Sequence, residues 1–295
     1  MTLREKLRAG EFVFTAEVTP PLSSNPDDLR NRAAPLLGLA DAVNVTDGAG
    51  ARAHLDATTA AYLLREHGLE PILQLTGRDR NRIALQSELV GAAALGILNV
   101  LALTGDDPKA GDQPNAKGVF DLDSIGIVET AVAIRDAHRL PYGRAVGGEA
   151  DFFIGVADSP LDPPDIWEPA ALRRKIEAGA QFTQTQFCMD AEILRRYLAR
   201  LREHDIPRNF YILVGVAPLA SGRSARWIRD SLRGSLIPDW IVTRLENASD
   251  PKAEGEAICV DLIRELREIE GIAGVHVMAP LNDAAIPRVI VRARS

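Results

Sequence analysis

The sequence predicts an α/β protein that folds as a (β/α)8 (TIM) barrel, with residues 1–295 in a single domain. Three observations support this prediction. Short apolar runs recur eight times, helical patterns separate them, and no low-complexity linker divides the chain. Most of the runs are continuously apolar, which is typical of parallel strands covered by helices. A doubly wound open sheet is the alternative that the same alternation allows.

The eight apolar runs have the length and composition of strands. They are residues 12–18, 41–46, 70–76, 98–104, 150–156, 180–187, 209–216 and 274–278. β-Branched and aromatic residues are frequent in them, as expected for strands. Eight parallel strands are the number that closes a barrel of this kind.

The segments between these runs carry helix signals. The segment 190–204 begins at Asp190, a good N-cap residue, and has an apolar stripe at helical spacing. The segment 256–271 has a similar stripe, and Gly271 is predicted to form its left-handed C-cap. Gly179 is predicted to end the helix that precedes the sixth strand.

Composition excludes several classes of partner. The net charge of -7 argues against nucleic acid, because phosphate neutralisation needs clustered cations, and 5% aromatic residues leave little for base stacking. A small anionic ligand stays compatible with a locally positive mouth. The start of the chain (1–12) is too charged for a signal peptide, and no apolar run is long enough to cross a bilayer. We therefore expect a cytoplasmic protein with no membrane partner.

The two cysteines, Cys188 and Cys259, lie far apart in sequence and form no CxxC motif. We interpret both as reduced, buried thiols. His, Cys and carboxylate residues show no metal-ligand spacing, so no metal site is predicted.

Polar residues occur at the carboxyl ends of most predicted strands. In a barrel these ends line one mouth, which is where the active site of this fold lies. A barrel without a site has no need for polar groups at so many strand ends, so the sequence predicts a functional mouth. The residues at these ends are Glu17, Thr46, Gln74, Thr76, Thr104, Asp106, Gln184, Gln186 and Ser221.

Two acidic residues are candidates for catalysis, and each has an alternative interpretation. An inward-facing Glu17 would be partly desolvated, and its raised pKa would suit a general acid; a salt bridge at the rim is the alternative. Asp106 follows the apolar run of NVLALTGDDP (99–108) and either meets a ligand or caps the next turn. Asp107 is interpreted as the turn residue before Pro108.

Other candidates carry weaker signals. The glycines of TDGAG (46–50) would let backbone amides approach a ligand. Lys175 lies beside two arginines, where a solvated basic face is the ordinary interpretation, and the same holds for GRDRNR (77–82). The arginines of that run could also meet phosphate or carboxylate groups. The five histidines show no pairing pattern and are assigned no catalytic role.

Seven segments in order resemble the methylenetetrahydrofolate reductase family of flavin-dependent (β/α)8 barrels. The resemblance covers nearly the whole chain. No single segment is diagnostic, but seven in the correct order are hard to obtain by chance. The segments are TAEVTPP (15–21), VNVTDGAG (43–50), GLEPILQLTGRDRN (68–81), LGILNVLALTGDDP (95–108), KIEAGAQFTQTQF (175–187), GVAPLAS (215–221) and GVHVMAPLN (274–282).

The resemblance implies roles for matching residues. Glu17 stands in the place of the acid that helps to open and protonate the methylene bridge of the folate. Asp106 corresponds to a carboxylate near the flavin ring and the pterin, and it also contacts substrate. Thr46 matches a flavin-contacting threonine, Lys175 a contact to the flavin phosphate or ribose, and Gln186 a glutamine that meets the folate.

The chain departs from the family pattern around the cofactor. Gln74 stands where the family has a flavin-contacting histidine. A Tyr-Pro-Glu-x-His-Pro segment is replaced by FFIGVADSP (152–160). Thr stands before Gly-Asp where better-known members have Arg, as in a branch that includes reductase domains fused to methyltransferases. The remaining predicted cofactor contacts are Thr104 and Gly105, together with an apolar wall formed by Phe153, Gly155 and Ala157.

Three functional hypotheses follow from the resemblance. The first is an FAD-dependent reductase that interconverts 5,10-methylene- and 5-methyltetrahydrofolate with NADH or NADPH. It would serve one-carbon metabolism and methionine biosynthesis, or run in the oxidative direction in methyl-group catabolism. The second is a one-carbon enzyme in which nicotinamide passes hydride directly to the folate. The third is a non-catalytic folate-binding or accessory subunit, and a homo-oligomer or a partner subunit stays open under all three.

Overall fold

A computed structural model describes residues 1–280 and 282–295 of the chain. Eight parallel strands pair in chain order and close into a barrel, because the last strand pairs with the first. The (β/α)8 prediction is therefore confirmed over the open sheet. The strands are β1 (Val13–Val18), β2 (Ala42–Val45), β3 (Pro71–Thr76), β4 (Asn99–Leu103), β5 (Phe153–Asp158), β6 (Phe182–Phe187), β7 (Tyr211–Val216) and β8 (Gly274–Val277).

Helices cover the outside of the barrel, and most lie between successive strands. Their apolar faces pack against the outward side chains of the strands and form the main core. The helices within the described residues are α1 (Leu3–Arg8), α2 (Pro26–Ala33), α3 (Ala57–Glu66), α4 (Arg82–Ala94), α5 (Ser124–Ala137), α6 (Ala170–Glu177), α7 (Ala191–Glu203), α8 (Gly222–Ser231), α9 (Asp239–Asn247), α10 (Pro251–Arg267) and α11 (Ala285–Arg294).

The observed helix ends show which of the predicted capping residues cap a helix. Asp190 caps α7, because its carboxylate accepts hydrogen bonds from the amides of the first turn, as predicted. Gly179, with a φ of 111°, follows the end of α6, as predicted. The C-cap prediction for Gly271 is wrong: α10 ends at Arg267 and is capped by Glu268 in a right-handed conformation, so Gly271 lies beyond the cap.

The amino-terminal end of the barrel is closed by an apolar plug. Leu3 and Leu7 of α1 pack with Val13, Phe153 and Phe182 in one buried cluster. The rings of Phe153 and Phe182 stack with their centroids 4.7 Å apart. The plug separates the barrel interior from this end, so the interior is reached from the carboxyl end of the strands.

Cys188 and Cys259 are both buried free thiols, as predicted. Burial raises the pKa of both, that of Cys188 to about 12, so neither is a thiolate at neutral pH. Within the described ranges, no three His, Cys, Asp or Glu side chains are grouped as metal ligands. None of the helices there combines the length and the apolar character that a membrane span requires.

Candidate active site

The direction of the mouth side chains follows from strand alternation. Gln184 Nε2 donates to Thr15 Oγ1 over 3.0 Å, across the barrel, so both side chains face the interior. Glu17 lies two residues after Thr15 on β1 and therefore faces the same way, nearer the carboxyl end. Gln186 lies at the carboxyl end of β6, where the pairing register with β7 shifts between Gln184 and Phe187. The barrel thus brings an acid from β1 and an amide from β6 to one mouth.

Glu17 is an acid at this mouth whose pKa is strongly raised. It is partly buried, and desolvation together with the negative charge of Asp283 raises its pKa from 4.5 to about 7. No cation of the described residues offsets this shift. The rim salt bridge is therefore absent from the described part of the chain, and the sequence-based expectation of a raised pKa is confirmed.

Asp283 was not predicted from the sequence, and it gives a testable effect. Asp283→Asn removes the neighbouring charge, so ionised Glu17 becomes less unfavourable and its pKa should fall. Because burial is the larger cause, the pKa should stay above 4.5. Carbon NMR titration of the glutamate carboxyls, with Glu17→Gln to assign the signal, measures the shift. Asp261→Asn, on the exposed side of α10, should leave the signal unchanged.

Thr46 lies directly after β2 and is 3% exposed. Its hydroxyl is buried and has no hydrogen-bond partner among the described residues. An unpaired buried hydroxyl costs free energy, so a ligand group that pairs with it is favoured. Thr46 therefore fits its predicted role as a cofactor contact.

The loop after β4 shows which residue of its acidic pair caps the next turn. Asp107 caps the short turn that begins at Pro108, since its carboxylate accepts from the Lys109 amide at 2.9 Å. Asp106 is exposed and does not serve as this cap. Thr104 Oγ1 accepts from the amide of Ser124 at 3.3 Å and so helps to hold the start of α5.

Lys175 turns towards the end of β5, away from a solvated basic face. Its Nζ donates to the carbonyl of Ala157 at 2.6 Å, and burial lowers its pKa. The hydroxyl of Tyr197 donates to Asp158 at 2.5 Å on the same edge, and desolvation raises the Asp158 pKa. A cavity of about 330 Å³ opens beside this cluster, lined also by Ser159, Leu161, Trp167 and Glu168.

The two predicted glutamines occupy different depths. Gln186 is partly buried, and its Oε1 accepts from the Phe187 amide at 3.1 Å. Gln74 is 9% exposed and lies two residues above Ile72, which packs in the interior plug cluster. Alternation therefore directs Gln74 into the barrel, below the rim.

Two predicted cofactor contacts need correction. Phe153 begins β5 and lies in the plug at the amino-terminal end, so its ring cannot form a wall at the mouth. A Cβ at Gly155 would collide with the ring of Phe182, so this glycine makes room for core packing. Only Ala157 of the predicted wall lies near the carboxyl end of β5.

The basic run 77–82 also differs from its ordinary interpretation. Arg78 is 4% exposed, and the arginines of the run are used within the chain. Their partners are Asp79 for Arg78, Asp47 and Glu88 for Arg80, and Asp121 for Arg82. Asp47 additionally accepts from the amide and the hydroxyl of Thr76, each at 2.8 Å, so this carboxylate joins the ends of β2 and β3.

A buried polar layer lies beneath the mouth, and sequence reasoning missed it. The amides of Asn44 and Gln184 pair in both directions, at 2.5 and 2.9 Å. Gln184 also donates to Thr15, whose hydroxyl lies 3.0 Å from Nδ1 of His276. Burial lowers the pKa of His276 to about 3, so the imidazole is neutral. The alternation of polar residues within β1 and β6 is the signal that could have found this layer.

A larger cavity, of about 680 Å³, lies at the opposite end of the barrel, between α1 and the amino ends of β3 to β5. The active sites of this fold lie at the carboxyl ends of the strands, so the mouth is the candidate site.

The fold and the mouth define the class: a (β/α)8 barrel with acidic and polar side chains at the carboxyl ends of its strands, where the active sites of this fold lie. Comparison with known proteins specifies this further. The sequence profile described as Methylenetetrahydrofolate reductase matches residues 2–294. The chain belongs to the methylenetetrahydrofolate reductase family, which is a family of oxidoreductases.

Several relatives are similar over most of the chain. Methylenetetrahydrofolate reductase 2 of Schizosaccharomyces pombe is 28% identical over 93% of this chain and 44% of its own length. The 5,10-methylenetetrahydrofolate reductase of Salmonella typhimurium is 27% identical over 71% of this chain and 65% of its own. The chain therefore spans less than two thirds of the length of either relative.

A solved structure shares the fold. It is an uncharacterized protein from Clostridium thermocellum that binds two copies of 5-methyl-5,6,7,8-tetrahydrofolic acid. It superposes with a TM-score of 0.70 at 14% identity and covers 99% of this chain and all of that chain.

Proposed function

We propose that this protein is a flavin-dependent oxidoreductase that interconverts 5,10-methylenetetrahydrofolate and 5-methyltetrahydrofolate. The single observation that carries the proposal is Glu17, an acid at the mouth whose pKa is about 7. An acid that is half protonated near neutrality can give a proton to the folate nitrogen as the methylene bridge opens. Family membership and the folate bound by the Clostridium neighbour support the substrate class.

The other mouth residues have complementary roles in the proposed reaction. Opening of the bridge leaves a cationic iminium carbon, and the Asp106 carboxylate would stabilise that charge. Gln186 can donate and accept hydrogen bonds, so its amide suits the mixed donors and acceptors of a pterin edge. In the reverse direction Glu17 takes the proton back. The same residues would therefore serve methionine biosynthesis or methyl-group oxidation.

The mouth fits FAD on two independent features. The buried Thr46 hydroxyl lacks a partner among the described residues, and the cavity beside Ala157 is lined by Trp167 and the Lys175 ammonium. We propose that Thr46, Ala157 and Lys175 hold the cofactor, with Gln74 and the turn at Gly105 contributing from neighbouring strands. FAD bound there would carry hydride between NADH or NADPH and the folate carbon.

A second candidate is direct hydride transfer from nicotinamide to the folate, without flavin. The positions of Phe153 and Gly155, away from the mouth, favour it, because they remove two of the predicted flavin contacts.

A spectroscopic experiment separates these possibilities. The purified protein is mixed with FAD, separated from free cofactor, and examined for visible absorbance before and after anaerobic addition of 5-methyltetrahydrofolate. A yellow protein that bleaches supports the first proposal. A colourless protein that oxidises NADH or NADPH with methylenetetrahydrofolate supports the second. Folate binding with no turnover under any of these conditions would contradict both and indicate an accessory subunit.

A further inference from the structure

We propose that Arg78 is a positioning residue that holds the loops after β2 and β4 together, so that Thr46 and Asp106 face the mouth at the same time. The inference rests on the proposed function, in which these two residues contact cofactor and substrate. Arg78 belongs to the run 77–82, which the sequence suggests is solvated. In the structure, however, Arg78 is only 4% exposed. Burying a guanidinium is costly unless it is paired, so its partners define what it does.

The first partner is the loop after β2. Arg78 Nη1 donates to the carbonyl of Gly48 at 3.1 Å. Gly48 has a φ of 60°, and a Cβ built on it would collide with Nη2 of Arg78. The guanidinium therefore lies directly against the backbone two residues after Thr46.

The second partner is the loop after β4. Gly105 has a φ of 93°, and a Cβ there would lie 2.8 Å from Cβ of Arg78 and 3.2 Å from Cβ of Thr76. The left-handed turn that presents Asp106 is thus seated on the stem of Arg78. Further along the same loop, the amide of Val119 donates to the carbonyl of Arg78 at 2.7 Å.

The charge of the guanidinium is already balanced. Asp79 accepts from Nε at 2.9 Å and from Nη2 at 2.6 Å, and the charges of Asp47 and Asp106 also act on the group. Each of the three guanidinium nitrogens donates to a group of the chain, Nε and Nη2 to Asp79 and Nη1 to Gly48, so the group is held by the chain itself. Arg78 therefore holds the two loops in fixed positions relative to each other. Fixed positions matter for the rate, because a displacement of about 1 Å in a catalytic group can lower it about 100-fold.

Arg78→Met tests the proposal, because it keeps much of the stem and removes the guanidinium. We expect kcat/KM to fall by about 10- to 100-fold. In the ligand-free protein, amide hydrogen exchange should become faster at Thr46 and Val119, one amide in each loop. Arg82→Met is the matched control: Arg82 is in the same run and pairs with Asp121, and we expect its activity within about twofold of the parent.

A double substitution separates positioning from general support. If Arg78 acts through Asp106, Asp106→Asn should lower kcat/KM much less in the Arg78→Met background than in the parent. Independent, additive effects would overturn the proposal, as would unchanged exchange in both loops. Arg78→Lys keeps the charge without the Gly48 contact and should give an intermediate rate if Arg78→Met folds poorly. If the parent shows no turnover but amide exchange is faster in Arg78→Met, the positioning role of Arg78 is supported and the proposed function is contradicted.

Discussion

Glu17→Gln is expected to lower kcat/KM by about 100-fold or more, because glutamine cannot donate the proton that Glu17 gives to the folate nitrogen in the proposed reaction. Glutamine has nearly the same size and keeps a polar group at the mouth. The acid must be protonated to donate, so the parent rate in the direction of bridge opening should fall as pH rises through about 7. The variant should lose this pH dependence. Steady-state rates measured from below to above neutrality test both expectations.

Two results would contradict this assignment. One is a variant that retains the parent rate, and the other is a variant with a low rate but the parent pH profile. Glu11→Gln is a suitable control, because Glu11 is exposed and lies just before β1, at the other end of the same strand. Its rate should match that of the parent. Folate binding measured in parallel shows whether any loss is in chemistry or in affinity.

Gln184→Met is expected to lower the free energy of unfolding by about 3 kcal/mol, the second large effect. The change conserves volume, so packing alone should cost little. It leaves both polar atoms of the Asn44 amide without their partner and removes a donor from Thr15, all of them buried. Unsatisfied buried groups carry their full desolvation penalty. Urea unfolding monitored by circular dichroism measures the change.

The companion variant makes this prediction specific. Replacing both members of the amide pair, Asn44→Leu with Gln184→Met, should recover a large part of the loss, because no orphaned amide remains. Gln113→Met, at an exposed glutamine of the loop after β4, should be neutral. A single variant as stable as the parent would show that the interior layer accepts an unpaired amide, for example by binding water.

The fold could be predicted because each strand signal is local. Continuous apolar runs and the helical patterns between them can be recognised within short windows of sequence. Eight alternating strand and helix units are compatible with only a few topologies. The predicted ends of strands are less accurate where pairing with a neighbouring strand determines them. β5 extends through Ala157 and Asp158 because these residues pair with Gln184 and Thr185 of β6, which a local pattern cannot indicate. Gly271 failed as a cap for a related reason, since α10 ends earlier than its glycine.

The site was only partly predictable, and the reason is distance in sequence. Strand ends indicated Glu17 and Thr46 because parallel barrels place functional groups there. The sequence did not indicate Asp283, and it indicated Arg78 only as one of several arginines that could meet phosphate or carboxylate groups. The effects of both residues depend on loops that meet only in the folded barrel. Phe153 was assigned to the mouth, although it begins its strand and therefore lies at the other end.

Closure of the barrel by its first and last strands has a consequence for how the protein is made. Thr15 and His276, which lie 3.0 Å apart, are separated by 261 positions along the chain. Glu17 is synthesised long before Asp283 and β8, so its carboxyl group keeps an ordinary titration until β8 has paired with β1. Contacts this remote in sequence form late in folding. The near-neutral titration of the Glu17 carboxyl would thus report closure of the barrel.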